Sequence, residues 1–179
     1  MCGRFALRVD VRNALEAAEW IDQDAFVPRF NIAPRSYAPV VRRVAANRVL
    51  HSMKWGLVPH WTTVEDKSLS TTNARAENLI QGGGMWASIK GKNRCAVICQ
   101  GYYEWLAKSP KDKRPHFVKH KDGQLMFMAG LYDHATIDGA FVFELVYRQH
   151  PNLLRISRSV TLDVHDRHDR CVPLLQLAA

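Results

Sequence analysis

Residues 37–57 read YAPVVRRVAANRVLHSMKWGL. Two apolar, β-branched-rich runs, YAPVVRRV (37–44) and RVLHSMKWGL (48–57), flank Ala45-Ala46-Asn47, and this pattern predicts a β-hairpin turning at 45–47. Downstream, RCAVICQ (94–100) predicts a strand ending at Gly101. HFVKH (116–120) and QLMFMAGLY (124–132) flank Lys121-Asp122-Gly123, a good hairpin turn, and AFVFELVY (140–147) predicts one more strand. Helices are few. VRNALEAAEW (11–20) predicts one, with Val11, Leu15, Ala18 and Trp20 on its apolar face and Asp10 as N-cap. NARAENLI (73–80) predicts a short second helix, broken by the glycines at 82–84. FNIAPR (30–35) is turn-like, because Pro34 disfavours helix at Ala33, and 58–70 is polar and loop-like. These elements predict an α+β fold: a single domain over 1–179, built on an antiparallel, barrel-like β-sheet with a few short helices. The segment 148–179 has few periodic apolar positions and reads as a divergent tail.

The bulk composition narrows the function. A chain of 179 residues fits one domain with a real core, and 47% apolar with 23% charged residues is ordinary for a globular protein. No apolar run approaches the roughly 18 residues of a membrane span, and no basic-then-apolar N-terminal pattern marks a secretory signal. Of the four cysteines, Cys95 and Cys99 lie on one face of an apolar run and read as buried thiols, and no spacing offers a zinc site. No disulfide pattern is visible either, so a reducing, intracellular setting is expected: cytoplasm or nucleoid in a bacterium, nucleus in a eukaryote. No metal or cofactor is expected. The net charge of +8 favours a polyanionic partner, of which nucleic acid is the commonest.

Several polar residues are not explained by core packing. Cys2 follows the initiator methionine, and removal of Met1 would leave one residue carrying both a free α-amine and a thiol; the plainer alternative is a chance residue on a frayed end. Asn73, in Thr72-Asn73-Ala74-Arg75-Ala76-Glu77, is either a helix N-cap or a functional amide. Glu104, in Gly101-Tyr102-Tyr103-Glu104-Trp105, is either an edge carboxylate facing water or a general acid–base, since a carboxylate among aromatics after a buried strand is costly to ionise. His165, in Leu162-Asp163-Val164-His165-Asp166-Arg167, is either a proton shuttle or a surface histidine. Aromatics alternate with cations at Lys54-Trp55, at Pro59-His60-Trp61 and at Trp105 near Lys108, a pattern that suits single-stranded nucleic acid as well as a core.

MCGRF at the N-terminus, FNIAP, KWGLVPHW, NARAE, GYYEW and MAGLYD occur in that order, and together they resemble the SOS response-associated peptidase (SRAP) family. The resemblance covers residues 2 to 133 well, with His165 a weaker anchor beyond. It implies an enzyme of the DNA damage response that captures abasic sites in single-stranded DNA, with self-removal of Met1 as its peptidase activity. Cys2 would form a Schiff base and then a thiazolidine with the opened deoxyribose. The family's active-site Asn, Glu and His match Asn73, Glu104 and His165, and its DNA-contacting groups match Arg4, Trp61, Arg75, Trp105 and Arg167. The implied partner is single-stranded DNA or a single-strand/duplex junction, bound by a monomer away from any membrane.

The chain also departs from the family pattern. Cys99-Gln100-Gly101 stands where the family often has Ala-Asp-Gly, and a tolerated change is expected. His-Asp-Arg occurs twice, at His165 and His168; His165 is preferred because Leu-Asp-Val precedes it. The sequence stops at Ala179, where family members usually continue, so a shortened member is expected. Two other functions compete with covalent capture: a thiol peptidase acting on other proteins, using Cys with His and Asn, and a non-catalytic single-stranded-DNA-binding module.

Overall fold

The computed structural model of the protein describes residues 3–15, 19–59, 61–62, 71–82, 89, 92–109, 112–135 and 141–147. Its elements run β1 (Arg4–Leu7), α1 (Arg12–Leu15), β2 (Trp20–Ile21), a 3-10 turn (Gln23–Ala25), β3 (Arg29–Ile32), β4 (Tyr37–Val44), β5 (Asn47–Trp55), β6 (Asn73–Arg75), α2 (Ala76–Gln81), β7 (Arg94–Cys99), β8 (Gly101–Ser109), β9 (Asp112–Lys119), β10 (Met126–His134) and β11 (Phe141–Tyr147).

The hairpin of residues 37–57 is the seed of a closed barrel. β4 and β5 pair antiparallel without a break, from Val44↔Asn47 to Tyr37↔Lys54. The turn is only Ala45-Ala46, one residue shorter than the sequence implied, and Ala45 takes the left-handed region with φ 53°. β4 then pairs with β7, β7 with β10, and β10 with β11, each antiparallel. β11 returns to β5 in parallel, through Val142↔Lys54 and Phe143↔Trp55. Five strands thus close on one another, which removes the free edges of an open sheet. The barrel-like sheet expected from the sequence is therefore present. Short β2 and β6 extend it alongside β5 and β11.

A second, four-stranded sheet in the order β3-β1-β8-β9 lies beside the barrel. β7 runs into β8 through the single residue Gln100. Gln100 also ties the sheets together: its backbone N–H donates to the Ala6 carbonyl at 2.8 Å, and its side-chain oxygen accepts the Arg8 backbone N–H at 2.6 Å. The residue that departs from the family pattern therefore has a structural task here. β9 is an edge strand, where Pro115 is tolerated because its missing N–H can face away from the ladder.

Local features differ from the sequence reading in identifiable ways. Of the helix expected over 11–20, the described residues are α-helical at Arg12–Leu15, residues 16–18 lie outside the described residues, and Trp20 belongs to β2, where it pairs with Leu50. Tertiary pairing overrides helical periodicity there. The Asp10 cap bond is present, to the Arg12 N–H at 2.9 Å. The turn-like stretch 30–35 is strand as far as Ile32, and the turn falls at Ala33–Ser36, beside Pro34. The second helix starts at Ala76, three residues later than expected, and ends as foreseen at Gly82, with φ 77°. β8 was not foreseen as a strand beyond Gly101. The tail 148–179 lies outside the described residues.

The core is shared by the two sheets. Phe5 from β1 meets Trp55 from β5 with ring centroids 5.1 Å apart, and Trp55 stacks on Phe143 from β11 at 6.3 Å. All three are fully buried. Cys95 and Cys99 are buried thiols on one face of β7.

Candidate active site and nucleic-acid interface

Two motifs of the site that lie far apart in sequence, MCGRF and GYYEW, are carried by hydrogen-bonded neighbouring strands. β1 pairs antiparallel with β8, with Arg4 opposite Tyr103, Phe5 opposite Tyr102 and Ala6 opposite Gly101. The strand that follows Cys2 and Gly3 is thereby laid along the strand that carries Glu104 and Trp105. Gly3 is in place next to that strand: a Cβ on it would sit 4.0 Å from the Trp105 ring. Gly101 permits the close approach of β9. A Cβ there would meet the Phe117 ring at 2.5 Å and the Val118 carbonyl oxygen at 2.6 Å.

Side chains alternate along β8. Tyr102 points into the core, and Glu104, on the same face, is half-buried where that core gives out. Tyr103 and Trp105 share the other face. The Tyr103 ring packs on Phe117 at 4.8 Å and lies 6.5 Å from Trp105. Trp105 is 42% exposed. On the far side of β1, the edge strand β3 adds an aromatic ring and oxygen partners for neighbouring groups. Arg4 donates to the Asn31 side-chain oxygen at 3.0 Å, and Tyr103 donates its hydroxyl to the Phe30 carbonyl at 3.2 Å. The Arg8 guanidinium lies 4.4 Å over the ring of Phe30, which is 60% exposed. In the sequence Phe30 was visible only as the first letter of FNIAP, in a stretch that read as a turn, and Arg8 was not singled out.

Asn73 and Arg75 stand on β6, against β11, with Asn73 opposite Leu145. Asn73 is not a helix N-cap. Arg75 holds the cap position of α2, and it makes no side-chain cap bond. The amide of Asn73 is fixed differently: its Nδ2 donates to Thr72 Oγ1 at 3.2 Å. Thr72 is held in turn by Trp55, whose indole N–H donates to the Thr72 carbonyl at 2.9 Å. Leu57 donates its backbone N–H to the Thr71 carbonyl at 3.0 Å. Between them, Gly56 adopts φ 129°, a conformation that side chains rarely take. The sequence Lys54-Trp55-Gly56-Leu57 therefore acts as a clamp on 71–73. Trp55 joins the two halves of the site, since its N–H holds the residue before Asn73 while its ring packs on Phe5, next to Arg4.

Three buried side-chain polar atoms lack a hydrogen-bond partner among the described residues: Asn73 Oδ1, Glu77 Oε2 and His116 Nε2. The first two lie in NARAE, and the third lies on β9 opposite Glu104. Buried polar atoms are nearly always paired, and exceptions call for a reason such as a ligand. Glu77 and His116 were not named in the sequence reading. Glu77 was visible only as the last letter of a motif, and His116 only as a member of a strand.

The cations and aromatics expected at DNA fall on several elements. Arg4 and Trp105 are brought together by the β1–β8 pairing, Arg75 is exposed at the end of β6, and Trp61 is 55% exposed in the segment after β5. Cys2, His165 and Arg167 lie outside the described residues.

Comparison with known proteins adds the following. A family model described as "SOS response associated peptidase (SRAP)" matches residues 1–173. The abasic site processing protein YMR114C of Saccharomyces cerevisiae is 40% identical over 136 residues, 75% of this chain and 36% of the relative. Abasic site processing protein YoqW of Bacillus subtilis is 31% identical over 136 residues, 74% of this chain and 60% of the relative. Abasic site processing protein HMCES of Rattus norvegicus is 29% identical over 143 residues, 66% of this chain and 40% of the relative. The matches thus span from about a third to three fifths of these relatives' lengths. Among solved structures, a phage-related protein from Bordetella bronchiseptica matches with TM-score 0.62 at 26% identity, over 82% of this chain and 69% of its own. A second protein from that organism matches in fold with TM-score 0.69 at 22% identity, over 94% of this chain and 80% of its own.

Proposed function

The chain belongs to the SOS response associated peptidase family, and from that premise we propose that it captures abasic sites in single-stranded DNA covalently through Cys2. The observation that carries this reading is the β1–β8 pairing, which sets the strand leading from Cys2 beside Glu104 and Trp105. The names of the relatives supply the lesion: each is an abasic site processing protein.

In this reading, hydrolysis of the Met1–Cys2 peptide bond frees the α-amine. That group has an ordinary pKa of about 7.7–8.0, so a useful share is unprotonated at neutral pH. The opened deoxyribose presents an aldehyde. The amine adds to its carbon, and the resulting carbinolamine loses water to give a Schiff base. The thiol sulfur then adds to the imine carbon and the thiol proton passes to nitrogen, closing a five-membered thiazolidine. One water is released overall. A neighbouring amine and thiol on one residue make the ring closure intramolecular, which gives it a large effective concentration.

Glu104 is the group proposed to take and return protons during ring opening, dehydration and Met1 removal. Asn73, whose amide oxygen is buried and unpaired among the described residues, would accept a hydrogen bond from the Cys2 amine or a sugar hydroxyl. His165 is proposed to assist the Schiff-base steps. Arg4, Arg75 and Arg167 would pair with phosphates, making binding salt-dependent, and Trp61 and Trp105 would stack on bases. The reaction is proposed for the cell interior. The exposed aromatic and cationic groups also favour a second reading, plain single-stranded-DNA binding without chemistry.

An oligonucleotide carrying one abasic site separates the two. Covalent capture predicts a band that survives a denaturing gel, is absent with Cys2→Ala, and accompanies an intact mass lacking Met1. Salt-sensitive binding with no such band, from folded protein lacking Met1, would leave the binding module instead.

A further inference from the structure

β9 carries a histidine that the chemistry above leaves unused. His116 lies directly across the β8–β9 ladder from Glu104. Alternation along β9 puts it on the face of Val118, which is buried in the core, and alternation along β8 puts Glu104 on the face of buried Tyr102. The two side chains therefore share the core-facing side of the four-stranded sheet, while their neighbours Phe117 and Tyr103 pack together on the opposite side. Residues directly opposite on an antiparallel pair have Cβ atoms about 4.5–5.5 Å apart, within reach of two long side chains.

His116 Nε2 is buried and has no hydrogen-bond partner among the described residues. A buried, unpaired ring nitrogen keeps its desolvation cost, and an apolar aromatic would fill the same place without it. Glu104 is the acidic side chain set opposite, and its three rotatable bonds allow its carboxylate to swing to that nitrogen. We propose that His116 is a positioning residue for Glu104: its Nε2–H donates to one carboxylate oxygen and fixes the orientation in which the other oxygen serves the reacting centre. The role in catalysis rests on the covalent-capture reading. The hydrogen bond itself does not.

Two measurements test it. The first compares wild type, His116→Phe and His116→Gln in the rate of crosslinking to an abasic-site oligonucleotide at saturating protein, beside affinity for an undamaged strand of the same length. His116→Phe keeps an aromatic ring and is expected to slow crosslinking about tenfold or more without weakening binding, as loss of orientation does. His116→Gln retains an N–H donor and is expected to recover most of the rate. A wild-type rate in His116→Phe overturns the proposal, and so does a His116→Gln protein as slow as the Phe variant. The second measurement needs no crosslinking: the ring nitrogen resonances of His116 by NMR, in wild type and in Glu104→Gln. A clear displacement on substitution is expected, and unchanged resonances would overturn the pairing. A wild type that never crosslinks would contradict the capture reading alone, while the resonances still decide the hydrogen bond. They also decide it if His116→Phe does not fold.

Discussion

Two histidines, one in each sheet, are treated differently by the fold. His51, on β5 of the barrel, is buried with both ring nitrogens engaged. Nδ1 accepts from Arg42 Nε at 3.0 Å, and Nε2 lies 3.3 Å from Asp22 Oδ2. The Arg42 guanidinium in turn lies over the rings of Tyr132 and Phe141. His116, on β9 of the four-stranded sheet, has a buried ring nitrogen with no partner among the described residues. The tryptophans divide in the same way. Trp55 is fully buried and donates its N–H, whereas Trp105 presents its ring to solvent beside Gly3. A buried side chain such as His51, with both ring nitrogens engaged, is built to stay folded. Side chains with a buried polar atom unpaired among the described residues, such as His116 and, on β6, Asn73, keep binding capacity in reserve at some cost in stability, as does the open ring of Trp105.

If that contrast holds, substitutions on the two sides should separate stability from binding. Trp55→Ala should be the most damaging, costing about 3–5 kcal/mol in urea unfolding, because it opens a cavity and releases Thr72. A loss below about 1 kcal/mol would remove Trp55 from the centre of the account. Gly101→Ala comes next, at about 1–3 kcal/mol, since the new methyl meets an aromatic ring and a backbone oxygen that cannot easily give way. Unchanged thermal stability would mean that β8 and β9 are not packed as described. Trp105→Ala should reverse the pattern: nearly unchanged stability, but about 1–3 kcal/mol weaker binding of single-stranded DNA in a fluorescence titration. Equal affinity for the two proteins would take Trp105 out of the interface.

The smallest effect is that of pH on the barrel. Burial first, and the neighbouring Arg42 charge second, hold the His51 pKa below its ordinary value of 6.5, against the raising effect of Asp22. The unfolded chain then binds the proton more readily than the folded one. The contribution of His51 is therefore complete above about pH 6.5 and is lost as pH falls from there through the lower folded value. Protonation would also set a second N–H against the Arg42 donor. Urea midpoints at pH 7.5 and 5.5 should fall less in His51→Gln than in wild type; an equal fall would assign the acid sensitivity to other groups.

Much of the barrel was legible in sequence, because β4, β5, β7, β10 and β11 are apolar runs bounded by turn residues, and Asn73 and Glu104 stood out as polar residues in odd places. β8 was not legible past Gly101. In Tyr102-Tyr103-Glu104-Trp105 both faces carry large aromatics, so no alternation shows until Phe117 and Val118 are seen to pack on opposite sides of the same ladder. With β8 unread, His116 could not be set against Glu104. β3 was hidden by Pro34, whose turn begins only after Ile32. Asn73 looked like a cap because a helix does follow, but β11 draws Asn73–Arg75 into its own ladder, an interaction across some 70 residues that no local pattern reveals.

The most direct measurement locates the bond itself. Purified protein–DNA crosslink would be digested with nuclease and trypsin and the adducted peptide sequenced by mass spectrometry. Covalent capture predicts the sugar remnant on Cys2 of the tripeptide Cys2-Gly3-Arg4, lighter by one water than the sum of its parts and lacking Met1. A remnant on a lysine, or on a peptide that still begins with Met1, would contradict it.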